Sequence, residues 1–155
     1  MLETTFSVAD TPENLSVLYE NMYFAGGRLL FVTLDPDANP PTVNKWNIAH
    51  PWRPEVKIFG TQEYLDAFLA QFEFEEVELG LNGDFLWYDD IGHGLFDGLY
   101  PSYLALVKFG FEHMPFTLCA NELEKRHRKI YEAVSTFTKT DEIIEWTKVD
   151  PTRVS

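Results

Sequence analysis

A single cysteine, Cys119, is all that 155 residues hold, so no disulfide forms within the chain and no cysteine-based zinc knuckle can be assembled. A reducing compartment is the expectation, and Cys119, set in the apolar run Phe116 to Ala120, reads as an inert core thiol. Basic residues are also scarce. Twelve Lys and Arg stand against 25 Asp and Glu, a formal charge of −13. Nucleic acid and anionic membrane surfaces are bound through clustered cations, so neither is an expected partner. No run approaches the roughly 20 apolar residues that span a bilayer. The first ten residues, Met1 to Asp10, carry neither a basic segment nor a sustained apolar one, so neither a signal peptide nor an anchor is expected and the expected location is the cytoplasm. No phosphate-cradling Gly-rich loop, dinucleotide fingerprint or nucleophile elbow is present, which removes the carriers of NTPase, classical dehydrogenase and α/β-hydrolase chemistry.

What the chain does have is apolar mass: 45% hydrophobic residues, with 13 Phe, 7 Tyr and 4 Trp. That composition folds, and the length suits one domain. A single α/β domain over residues 1–148 is expected, with 149–155 as a C-terminal tail. Thr11 to Tyr23 begins like a capped helix or an irregular lead-in. Arg28-Leu29-Leu30-Phe31-Val32-Thr33-Leu34 reads as a buried strand after the Gly26-Gly27 turn, and the proline-rich stretch from Asp35 to Thr42 as a loop. The stretch from Asn44 to Pro54, in which Trp46 and Trp52 alternate with prolines, reads as an irregular rim. Val56 to Phe59 reads as a strand and Thr61 as the cap of a helix carrying Tyr64, Leu65, Phe68, Leu69 and Phe72 on one face. Glu75 to Leu79 and Phe85 to Tyr88 read as strands. Leu95 to Phe109 reads as a buried central helix stopped by Gly110, Phe116 to Ala120 as a strand, Glu122 to Phe137 as an amphipathic helix, and Asp141 to Thr147 as a last helical turn. Strands alternating with helices predict an α/β fold, a mostly parallel sheet covered by helices.

Chemistry concentrates in Asp89-Asp90-Ile91-Gly92-His93-Gly94-Leu95-Phe96-Asp97, where a strand hands over to a helix. Ligands of open α/β sheets gather at the carboxyl ends of strands. On a helix begun near Asp90 or Gly92, His93 and Asp97 stand one turn apart. A carboxylate on one imidazole nitrogen would leave the other free to take a proton from a substrate hydroxyl. The plainer alternative is that the pair caps a helix and satisfies itself, with Asp90 as the cap. Gly92 and Gly94 would let a ligand approach. Three carboxylates and one His match no metal loop of defined coordination, so no metal site is expected. His50 and His113 beside proline-bearing loops, and His127 on a charged helix face, suit structural or surface roles. Trp46 and Trp52 suit either stacking on a sugar or the core.

Two segments in order, Asn21-Met22-Tyr23-Phe24-Ala25-Gly26-Gly27-Arg28-Leu29-Leu30-Phe31-Val32-Thr33 and Asp89 through Tyr103, resemble the N-terminal half of family 61-like glycosyltransferases. His93, Asp97 and Pro101 occupy a His-x-x-x-Asp-x-x-x-Pro pattern of that family. The resemblance implies a Rossmann-like half of a two-lobed glycosyltransferase fold, the lobe on the acceptor side, with no cofactor of its own. Taken with the motif and stacking arguments above, it makes His93 and Asp97 the expected catalytic residues, and Asp89, Asp90, Gly92, Gly94, Tyr100, Trp46 and Trp52 the expected substrate-binding ones. The departures from the family are size and charge: 155 residues hold no second nucleotide-binding lobe, and no basic cluster grips a diphosphate. A truncated enzyme and a small domain that has lost the transfer reaction both fit. Beside them stands a non-catalytic binding or assembly module working through an apolar, aromatic patch. The expected partners are a carbohydrate acceptor or a protein, a second copy of the chain included.

Overall fold

A computed structural model describes residues 1–9, 15–25, 28–43, 52–82, 100–120, 143–145 and 153–154. The chain divides into two compact units, the first formed by Met1–Glu75 with Asp150–Ser155 and the second by Glu76–Val149.

The first unit is organised by β4 (Arg28–Thr33), the apolar run expected as a strand. It lies between β3 (Tyr23–Ala25), to which it is antiparallel, and β5 (Glu55–Ile58), to which it is parallel. Side chains alternate across a strand, and here both faces are covered. Leu30 and Val32 pack with Ala25 against Leu65 and Leu69 of α1 (Gln62–Leu69), with Tyr23, Leu34, Phe59, Phe68 and Phe72 around them. Phe31, pointing the other way, meets Phe6 and Tyr19. This two-sided burial is why β4 reads as a continuous apolar run rather than an alternating one. Helix α1 forms where expected: the Thr61 hydroxyl accepts the Tyr64 N–H at 3.3 Å, and Leu65 and Leu69 are fully buried, each worth about 1.5–3 kcal/mol. Tyr64 departs from the expected face and lies in solvent.

The N-terminal residues do not form the expected helical lead-in. β1 (Thr5–Ala9) and β2 (Ser16–Glu20) make an antiparallel hairpin, with Phe6 opposite Tyr19 and Val8 opposite Val17. Val, Tyr and Phe at every second position fit a pleated surface, and that period of two decides against a helix. β6 (Glu73–Phe74) follows α1, and β10 (Arg153–Val154), within the expected tail, pairs with it in parallel. The stretch from Asp35 is the expected loop: the Asp35 carboxylate accepts the Asp37 N–H at 2.9 Å.

The second unit carries β7 (Gly80–Asn82), β8 (Thr117–Ala120) and β9 (Ile143–Glu145), a three-stranded parallel sheet with β8 in the middle. β9 replaces the helical turn expected there, its two β-branched isoleucines favouring an extended backbone. The strand expected at Glu75 to Leu79 begins only at Gly80, because three glutamates in those five residues leave little to bury. α2 (Tyr100–Lys108) is the described part of the expected central helix, yet Tyr103 and Val107 lie open and, among its described side chains, only Leu106 is deeply buried. It is a surface helix with one inward face. Its end is built as expected: Gly110 adopts φ +76°, its N–H donates to the Val107 carbonyl and that of Phe111 to Leu106, the paired bonds of a Schellman stop.

The expectation of a mostly parallel sheet covered by helices is thereby corrected. The described strands form four small sheets of two or three strands, and the two described helices span eight and nine residues. A sheet buried on both faces needs apolar strands throughout, and β4 meets that condition while β1 is largely exposed. No described helix is long and apolar enough to cross a membrane.

Candidate functional site

Among the described residues an aromatic cluster forms on one face of the β1–β2 hairpin. Phe6 and Val8 project from one face of β1, and Val17 and Tyr19 stand opposite on β2. The Tyr19 ring is the centre. It lies 6.3 Å from Phe6, 6.3 Å from Phe31 and 6.4 Å from Trp52, the last two near edge-to-face at 77° and 79°. Such contacts set the positive ring edge against the negative face and contribute about 0.5–1.5 kcal/mol each beyond burial. Trp52 is held for this by a reciprocal backbone pair with Val43, at 2.8 and 3.1 Å.

The hydroxyl of Tyr19 is buried and finds no hydrogen-bond partner among the described residues. Burial pushes its phenol up to about 12, against the lowering pull of the Arg53 charge, because a phenolate there would be poorly solvated. Phe6 and Val8 remain 37% and 46% exposed. Two apolar side chains, Phe6 and Val8, are thus open to solvent beside a buried tyrosine hydroxyl. The one titratable ring of this face, Tyr19, keeps its proton at neutral pH.

Asp89, Asp90, Gly92, His93, Gly94 and Asp97, and with them Trp46, His50 and His127, lie outside the described residues, as do Phe85 to Tyr88 and the Glu122 to Phe137 segment. Tyr100, expected to bind substrate, opens α2 and is well exposed. Tyr100 is in the second unit and Trp52 in the first. His113 lies on the surface, 3.9 Å from the Glu112 carboxylate, the surface role anticipated for it. A shallow, open depression of about 80 Å³ in the second unit is lined by Glu78, Leu79, Pro115, Phe116 and Thr117. Drug- and cofactor-sized ligands need about 300–1,000 Å³. Among the described residues no group of His, Cys, Asp and Glu could hold a metal ion.

Sequence reasoning missed Phe6, Val8 and Tyr19. The alternation Phe6-Ser7-Val8 and Val17-Leu18-Tyr19 was the available signal, and it pointed to a paired strand only once its partner was known. Trp52 was singled out for stacking on a sugar, with packing as the alternative, and in the structure it meets the Tyr19 ring edge-to-face. Comparison of the chain with protein-family models, curated proteins and solved structures gave no match.

Proposed function

We propose that this chain is a non-catalytic binding or assembly module that presents the aromatic face of the β1–β2 hairpin to a protein partner. One observation carries the reading: Phe6 and Val8, two residues apart on one face, stay open to solvent above a braced aromatic stack. A rigid aromatic floor binds with little loss of side-chain freedom, which is what interface cores use. The charge of −13 favours a partner that is neutral or basic. A chain with one cysteine suits the reducing cytoplasm, the compartment this reading assigns. The acceptor-lobe reading draws no support from the fold, since the Rossmann-like half it required is not what the described strands build.

The test compares wild type with Val8→Lys, which puts a charge on the open part of the face without removing a packed ring. Native mass measurements over a range of concentrations, together with affinity capture from the source cells, read out the partner or the self-assembled form. Binding by the wild type should fall at least tenfold in the variant, about 1.4 kcal/mol. A wild type that stays monomeric and captures nothing, or a variant that binds as well as wild type, would overturn the proposal.

A further inference from the structure

The edge of β4 is closed in an unusual way. Its ladder with β3 ends at the pair Tyr23 and Leu30, because Asn21, in the left-handed region at φ 57°, turns the chain away just before β3. The N–H groups of Val32 and Leu34 point to that same side, beyond the reach of β3. Two side chains take them. The Thr4 hydroxyl accepts the Val32 N–H at 3.1 Å while donating to the Asn21 carbonyl at 2.8 Å. A Glu3 carboxylate oxygen accepts the Leu34 N–H at 2.6 Å and the Thr33 hydroxyl at 2.9 Å. Among the described residues one backbone bond, from the Thr4 N–H to the Val32 carbonyl at 2.8 Å, accompanies them. Thr4 and Val32 are almost fully buried, so the Val32 N–H would otherwise be left without water or partner, while the Leu34 N–H is part-buried.

We propose that Glu3 and Thr4 form an edge plug, in which side-chain oxygens stand in for a neighbouring strand and hold β4 closed against a strand from a second copy of the chain. Unpaired strand edges are templates for another strand, and folded proteins block them with local features of this kind. The second copy is the occupant because Phe31-Val32-Thr33-Leu34 carries no charge. Two such segments can face one another antiparallel about a twofold axis with no like charges opposed, in spite of the charge on the whole chain.

The experiment uses the full chain. Glu3→Ala and Thr4→Val remove the acceptors singly and together, while Glu3→Gln and Thr4→Ser keep an oxygen in place. Hydrogen exchange at the Val32 and Leu34 amides and mass as a function of concentration are the readouts. The Ala and Val variants should exchange roughly tenfold faster at these two amides and shift from the wild-type mass towards twice that mass, with the Gln and Ser variants behaving like wild type. The single variants keep the test informative if the double variant does not fold. A Val8→Lys background separates edge pairing from association through the hairpin face, so that either proposal can fail alone. Unchanged exchange would overturn the plug, as would faster exchange with no change in mass, since an open edge would then attract nothing.

Discussion

Tyr19 shows how one hydroxyl can work against the site around it. A buried donor without a partner forfeits its hydration, a penalty of about 1–3 kcal/mol, and the Tyr19 hydroxyl is buried with no partner among the described residues. Tyr19→Phe keeps the ring and its contacts to Phe6, Phe31 and Trp52 and removes only the hydroxyl. Urea unfolding should show the variant as stable as wild type or more so, by about 1 kcal/mol. A clear loss of stability would mean that the hydroxyl is satisfied. The alkaline limb supplies a second measurement. With the folded phenol near 12 and an ordinary tyrosine at 10.0, the unfolded chain releases this proton first. The stabilisation is therefore whole below pH 10 and is lost as pH rises through 12. Tyr23, also raised by burial, acts in the same direction, so Tyr19→Phe should weaken the alkaline decline without abolishing it.

Elements differ in how openly the sequence announces them. The end of α2 was legible because one residue type decides it: Gly110 holds φ +76°, and a Cβ there would meet nothing within 4 Å. Gly110→Ala should thus destabilise through backbone strain alone, by about 1–2 kcal/mol, measurable as a lower urea midpoint with an unchanged slope. A variant as stable as wild type would show that the stop does not depend on the left-handed turn. The cap of α1 and the strand β4 were legible for like reasons, since Thr61 and the run from Arg28 to Thr33 carry local signals. The hairpin was not. Thr11-Pro12 imitates a helix start, and what overrules it is the pairing of Phe6 with Tyr19 and Val8 with Val17, a long-range contact that no short window contains. β6 and β10 make the same point, as Glu73 finds its neighbour at Arg153. The expected catalytic segment, Asp89 to Asp97, lies outside the described residues, and the candidate surface is instead built from Phe6, Val8, Tyr19 and Trp52, which are scattered through the first third of the chain.

For the whole molecule, charge was the property most legible from sequence, because it is a sum and needs no pairing. Its consequence is a conflict between two effects of salt. Salt weakens attractive pairs, and the Glu55 carboxylate takes both Arg28 at 2.7 Å and Lys57 at 2.9 Å, bonds that hold its carboxyl below the usual range. Exposed pairs of this kind are worth only about 0–1 kcal/mol. Salt also screens repulsion, and 25 acids against 12 bases leave many carboxylates with no cation to meet. Glu73, Glu75, Glu76 and Glu78 lie exposed along one short stretch, and sequence neighbours such as Glu75 and Glu76, with Cα atoms about 3.8 Å apart, fall within the Debye length of about 10 Å at 0.1 M salt. Relief of repulsion should outweigh loss of attraction, and the thermal midpoint should rise as sodium chloride goes from about 0.01 to about 1 M, where the Debye length contracts to about 3 Å. Glu75→Gln with Glu76→Gln separates this from a general salting-out effect. The double variant should be more stable than wild type at low salt and indistinguishable from it at high salt. If instead the gain persists unchanged at high salt, it comes from a cause other than charge, and the acidic stretch does not strain the fold.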